Sequence, residues 1–77
     1  MKKTYELLTI EEKAAIAAKL LDNGYNDHGD TCKLDETNHY TFVTSGGEFS
    51  AYQTPAELLN DFIEFYGEKP LKEEYNK

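Results

Sequence analysis

Two helix-start signals, one near each end of the chain, constrain its fold more than any other feature. The segment TIEE at residues 9–12 fits a capping box, in which the threonine hydroxyl accepts from the helix backbone and the last glutamate reaches back to the threonine amide. The segment TPAE at residues 54–57 repeats this pattern, with proline at the first helical position, where its missing N–H is not needed. Gly24 and Gly67 are stop signals. The sequence therefore predicts a helix at about residues 10–22 and a second helix from residue 55 to Gly67.

Each predicted helix has one apolar face. At 100° per residue, the apolar side chains of the first helix fall within about 140° of arc, and those of the second within roughly 160°. The first set is Ile10, Ile16, Ala17, Leu20 and Leu21; the second is Leu58, Leu59, Phe62, Ile63, Phe65 and Tyr66. We expect both faces to cover one shared core.

The segment between the helices is typical of β-structure. Residues 39–44 are rich in β-branched and aromatic side chains, and Tyr40 and Phe42 alternate onto one face. The Ser-Gly-Gly sequence at residues 45–47 is a hairpin turn signal, and residues 48–52 follow it as a partner strand. Residues 31–34 predict a third strand, connected to the next one through residues 35–38.

The order helix, strand, strand, strand, helix predicts an α+β fold in two layers. A three-stranded antiparallel meander would carry both helices on one face, with Tyr40 and Phe42 directed toward them. The 77 residues suffice for one small domain. We expect residues 1–8 and 68–77 to be loosely ordered, and the last residues lack any apolar period. Such a fold is so widely used that its shape implies no function.

The charge of the chain restricts its partners. All eight basic residues are lysines, and they face fifteen Asp and Glu, for a formal net charge of -7. Arginine makes bidentate contacts to phosphate and guanine, so an acidic chain without arginine is expected to avoid nucleic acid and anionic membranes. The lone Cys32 excludes an internal disulfide, and no apolar run approaches the roughly 18 residues of a membrane span. We expect a soluble, cytoplasmic protein.

Acidic side chains on the second predicted helix are the strongest candidate site. Glu57, Asp61, Glu64 and Glu68 recur at spacings of 4, 3 and 4. They lie within about 60° of one another at 100° per residue. Like charges at such spacings weaken a helix by roughly 0.2–0.5 kcal/mol per pair, which a binding role would explain, whereas acids can also serve solubility alone. Asp35, Glu36 and Glu48 at the hairpin ends are candidates for further charge.

From these residues we expect a non-enzymatic module that binds a basic protein surface. A narrower version is mimicry of the DNA backbone, in which carboxylates take the positions of phosphates and inhibit a nucleic-acid-binding enzyme. Small anti-restriction and anti-CRISPR proteins use this strategy, and the analogy is to the strategy alone. Such an association is expected to be fast and sensitive to salt.

A homodimeric accessory protein is the first alternative. Tyr52 is expected to point away from the helices, because it alternates with Phe49 and Ala51 along its strand. It would then share an open sheet face with His39 and Thr41, and that face would suit a contact between two copies as well as a partner. Val43 and Ser50 are expected on the same face.

A small metal-dependent catalyst is the second alternative. His28, Cys32 and His39 would supply its ligands, but their spacing matches no paired zinc motif. The neighbours of Cys32 are mostly acidic, whereas a reactive thiolate needs an electropositive setting. We therefore expect no catalytic residue, no metal site and no cofactor.

Overall fold

The computed structural model describes residues 3–23, 31–43 and 52–77, and within them the predicted α+β fold is confirmed. These residues form three α-helices, α1 (Ile10–Asp22), α2 (Pro55–Tyr66) and α3 (Lys69–Tyr75), after a single 3₁₀ turn at Tyr5–Leu7. They also form three short strands, β1 (Thr31–Leu34), β2 (Tyr40–Val43) and β3 (Tyr52–Gln53). The strands pair antiparallel in the order β1-β2-β3, so the predicted meander is confirmed.

Both predicted capping boxes are confirmed. At the start of α1, the Glu12 amide donates to Thr9 Oγ1 at 3.1 Å, and the Thr9 amide donates to Glu12 Oε1 at 2.9 Å. At the start of α2, Thr54 and Glu57 make the same two bonds, at 3.2 and 2.8 Å. Gly67 follows α2 with a φ of 81°, a conformation that a residue without Cβ adopts at little cost.

The sheet register separates an inner face from an outer face. Thr41 pairs with Lys33 on one side and with Tyr52 on the other, and Tyr40 pairs with Gln53. Because paired residues lie on the same face of a sheet, Lys33, Thr41 and Tyr52 form one row across the outer face. Tyr40 and Gln53 are buried on the inner face, whereas Tyr52 is 53% exposed, as predicted. The predicted turn at residues 45–47, nearly all of the predicted strand at 48–52 and the side chains of residues 42 and 43 lie outside what the structure describes.

The core lies where α1 and α2 pack on each other and on the inner face of the sheet. Its buried apolar side chains are Tyr5, Ala14, Ala17, Ala18, Leu21, Tyr40, Leu58, Leu59, Phe62 and Leu71. Three alanines on α1 allow a close approach to α2. The buried stripe is therefore shifted from the predicted one, and Ile10 and Phe65, both predicted to face the core, are half exposed.

The C-terminal segment departs most from the prediction. Residues 69–75 form α3, although the sequence predicts two helices and loose order at residues 68–77. Leu71 is fully buried in the shared core. A seven-residue helix with one buried leucine has too few apolar positions to produce a periodic signal. The prediction of only two helices is therefore wrong, because the described residues form a third.

The N-terminal segment is held by this third helix. The Tyr75 hydroxyl donates to the Lys3 carbonyl oxygen at 2.6 Å, and the Tyr5 hydroxyl donates to Glu68 at 3.1 Å. The Tyr5 ring is buried and meets the Tyr75 ring edge-on, with 6.4 Å between centroids. Lys3 and Tyr5 are thus hydrogen-bonded to residues more than sixty positions away in the chain.

Candidate functional site

The turn between β1 and β2 is organised by the carboxylate of Asp35. Its Oδ1 atom accepts from the Thr37 amide at 2.9 Å, the Thr37 hydroxyl at 2.7 Å and the His39 amide at 3.0 Å. Aspartate commonly folds a turn in this way, because its short side chain reaches the amide two residues on. All three bonds end on one oxygen, so Oδ2 of Asp35 accepts no hydrogen bond within the described residues.

Tyr52 of β3 is tied to this turn through Thr37. The two hydroxyl oxygens lie 2.8 Å apart. Because the Thr37 hydroxyl gives its one hydrogen to the Asp35 carboxylate, the Tyr52 hydroxyl is the donor to Thr37. Two hydrogen bonds thus connect an exposed tyrosine to a carboxylate and fix the direction of its ring.

The imidazole of His39 lies flat against the Tyr52 ring. The two ring centroids are 4.5 Å apart and the planes differ by 1°. His39 Nδ1 lies 2.9 Å from the Thr37 carbonyl oxygen, and since a carbonyl only accepts, Nδ1 carries a hydrogen. The stack is therefore fixed at both rings, and it presents a rigid aromatic surface at the outer face of the sheet.

Two carboxylates lie near this aromatic pair. The hydrogen bond from the His39 amide is the main cause that lowers the pKa of Asp35, followed by the Thr37 hydroxyl, and the charge of His39 contributes less. The hydrogen bond from the Thr54 amide is the main cause that lowers the pKa of Glu57, and His39 again contributes a smaller electrostatic part. Both acids therefore lie close to His39 and are ionised at neutral pH.

The start of α2 and the β1–β2 turn thus share one end of the molecule. We call the side chains gathered there the hairpin patch. Its members are Asp35, Thr37, His39, Tyr52 and Glu57.

The acids predicted to form a ridge on the second helix have separate roles. Glu57 closes the capping box with one carboxylate oxygen. Asp61 accepts a hydrogen bond from Nε2 of Gln53, whose side chain is buried. A buried amide needs such a partner, because leaving it unpaired costs roughly 1–3 kcal/mol. Asp61 therefore joins α2 to β3, a structural contact that sequence reasoning did not anticipate.

Glu68 does not lie on α2. The helix ends at Tyr66, and the positive φ of Gly67 changes the direction of the chain, so placing Glu68 in the ridge is wrong. Its carboxylate instead accepts from the Tyr5 hydroxyl. Of the predicted ridge, Glu64 alone is exposed with no partner among the described residues.

The lysines and the acids are unevenly distributed. All four ion pairs within residues 3–23, 31–43 and 52–77 lie among the N-terminal segment, α1, α3 and the residues after α3: Lys3–Glu12, Lys19–Glu74, Lys72–Glu6 and Lys77–Glu74. None of these pairs includes the hairpin patch, Glu36 in the β1–β2 turn, or Asp61 and Glu64 on α2. Ion pairs in the described part of the chain therefore leave the negative charge of α2 and the turn uncompensated.

The remaining predicted residues fall into two groups. Glu36 is exposed in the β1–β2 turn, beside Asp35. Glu48, His28 and the side chain of Cys32 lie outside the described residues. Among the side chains that the structure does describe, no three His, Cys, Asp or Glu come together in a group that could hold a metal ion. His39, the third predicted metal ligand, is engaged with Tyr52 and Thr37.

Thr37 is the member of the hairpin patch that the sequence did not predict. It contacts Asp35, His39 and Tyr52, and without it the tyrosine would not be tied to the turn. Its signal was local, because an aspartate two residues before a threonine in a short connection is a common turn pattern. The contact of Thr37 with Tyr52 depends on the pairing register of β2 and β3, which cannot be read from the sequence alone.

Comparisons with protein-family models, with curated proteins and with solved structures found no match for this chain. None of the helices in the described part of the chain combines the length and the apolar character needed to cross a bilayer.

Proposed function

We propose that this protein is a non-enzymatic interaction module that binds a basic surface of another protein. The contact would be made by the hairpin patch together with the exposed acids Glu36 and Glu64. The observation that carries this proposal is the segregation of charge. The ion pairs of the described residues lie on the N-terminal segment, α1, α3 and the residues after α3, while the acids of α2 and the turn take part in none of them.

The patch has two properties that suit recognition. Its carboxylates attract a basic partner from a distance and accelerate encounter, an effect that salt weakens. Its tyrosine offers a large ring with a polar tip, the kind of side chain enriched at the centres of interfaces. Because Thr37 and His39 already hold that ring in place, less side-chain freedom is lost on binding.

Mimicry of the nucleic-acid backbone is the narrower form of this proposal. It requires several carboxylates that are free to meet the basic groups of a nucleic-acid-binding enzyme. Asp61 and Glu68 already accept hydrogen bonds from Gln53 and Tyr5. The general form, a docking surface for a basic protein, therefore has more support than inhibition by mimicry.

The test is a charge reversal with a matched control. Glu36→Lys with Glu64→Lys reverses two exposed acids of the uncompensated surface, whereas Glu11→Lys with Glu73→Lys reverses two exposed acids on α1 and α3. Both double variants have the same net charge. Binding of a fluorescent peptide that contains lysine and arginine is then measured by anisotropy at low and at high salt.

Each exposed charge pair contributes about 0.2–1 kcal/mol, and a reversal exchanges attraction for repulsion. We therefore expect the first variant to bind the peptide about fourfold or more weakly than the control variant at low salt, with the difference shrinking at high salt. Equal weakening by both variants would show that net charge alone governs binding, and the proposal would then be wrong.

A further inference from the structure

The hairpin patch has the features of a site for one particular kind of basic side chain. Its exposed ring belongs to Tyr52, held against His39 at 4.5 Å between centroids. Aromatic faces attract cations, and the planar guanidinium of arginine also stacks on them, whereas the ammonium of lysine is a compact and strongly hydrated point charge.

The carboxylate that Thr37 connects to the Tyr52 hydroxyl has one oxygen available. Oδ1 of Asp35 accepts three hydrogen bonds from the turn, and Oδ2 accepts none from the described residues. Glu57 is similar, because Oε1 accepts from the Thr54 amide while Oε2 has no partner there. Each acid is thus fixed by one oxygen and can accept an outside donor with the other.

We infer that the hairpin patch is a subsite for a single arginine side chain of the partner protein, with the guanidinium over the Tyr52 ring and one of its N–H groups donating to Oδ2 of Asp35. This inference rests on the proposed function, since it names the side chain that the proposed docking surface recognises. The carboxylates of the patch favour a cation over a neutral side chain, and the exposed face of the Tyr52 ring favours a planar cation over a compact one. Lys33 lies in the same cross-strand row as Tyr52. Its positive charge would repel any further cation of the partner that came close to β1.

The test compares two peptides that differ only in their basic residues. One contains arginine and the other contains lysine at the same positions, and each is titrated at low salt into isotope-labelled protein while the NMR signals of Tyr52 and His39 are followed. Because a cation–π contact at an exposed site is modest, we expect the arginine peptide to bind about two- to fivefold more tightly and to shift the ring signals of both residues.

Three variants connect this preference to the patch. Tyr52→Leu is expected to abolish the preference for arginine, while Tyr52→Phe, which keeps the ring, is expected to retain it. Phe65→Leu is the matched control, because it removes another half-exposed aromatic ring, located on α2. If Tyr52→Leu does not fold, Asp35→Asn serves instead: its amide oxygen can still accept from the turn, but the charge is lost and the preference should fall.

The outcomes separate the subsite from the docking surface. Equal affinity for the two peptides, or a preference that survives in Tyr52→Leu, would overturn the arginine subsite and leave the proposed function standing. Failure of both peptides to bind would overturn both. Self-association that Tyr52→Leu abolishes, with peptide binding unchanged, would make the patch a contact between two copies of this chain and would also overturn the inference.

Discussion

Asn38 shows how one residue shapes the hairpin patch. It is the only non-glycine residue with a positive φ, 62°, in the part of the chain that the structure describes. The left-handed conformation lets the chain return after the Asp35 turn, so that the Asp35 amide donates to the His39 carbonyl oxygen at 2.8 Å. Asparagine adopts this conformation more easily than most residues, and glycine adopts it most easily of all.

At the residue scale, we predict that Asn38→Ala lowers the free energy of unfolding by about 1 kcal/mol, because alanine is strained at positive φ. Asn38→Gly is expected to restore or exceed the stability of the parent chain. Urea unfolding measures both. Asn60→Ala on α2 is the control, and we expect it not to destabilise, because alanine favours a helix. A glycine variant as unstable as the alanine variant would show that the Asn38 side chain, and not its backbone conformation, matters.

At the element scale, α3 is stabilised by long-range contacts. Its sequence carries few local signals for a helix. The side chain of Glu68 at its start makes no capping hydrogen bond, and the helix is only seven residues long. Isolated helices of this length do not form in water. The burial of Leu71 and the two tyrosine hydroxyl bonds with Lys3 and Glu68 therefore account for its formation.

We predict that Leu71→Ala destabilises the protein by about 2–5 kcal/mol, because it leaves a cavity in the core. Leu7→Ala is the matched control. The same substitution at a side chain that is 68% exposed is expected to change stability by less than about 0.5 kcal/mol. Thermal unfolding followed by circular dichroism measures both variants. Similar losses of stability in Leu71→Ala and Leu7→Ala would contradict the packing of α3 against the core.

The sequence predicted an element well where the signals for that element lie close together in the chain. α1 and α2 begin at Thr9 and Thr54 because each capping box lies within four residues. The third helix has one local start signal, Pro70 in its first turn, and otherwise depends on Leu71 and on contacts with residues near the start of the sequence. The hairpin patch depends on the contact of Thr37 with Tyr52, fifteen residues apart. Glu68 was wrongly placed on α2 because the helical periodicity was extended through Gly67, where the helix ends.

At the scale of the whole molecule, the titratable groups define a range of pH in which the fold is most stable. The pKa values of Glu12, Asp35 and Glu57 are lowered, chiefly by hydrogen bonds from backbone amides, and that of Glu74 by hydrogen bonds from Lys77 and Lys19. A lowered pKa in the folded state means that these acids stabilise the fold at neutral pH. This contribution is lost as the pH falls through their lowered pKa values.

Tyr5 contributes to the alkaline limit of the stable range. Burial first, and then its hydrogen bond to Glu68, raise the pKa of Tyr5 from 10.0 to about 12. Because the folded pKa is the higher one, the stabilisation is complete below pH 10 and is lost as the pH rises through about 12. We predict that Tyr5→Phe flattens this alkaline decline in melting temperature and leaves the acid decline unchanged. An alkaline decline equal to that of the parent chain would show that another group is responsible.

The hydroxyl of Tyr75 donates to the carbonyl oxygen of Lys3, which brings two residues 72 positions apart into contact. A covalent link between these two positions would restrict the unfolded polypeptide without bending the folded one. Such a cross-linked form is expected to unfold at a higher urea concentration than the parent chain.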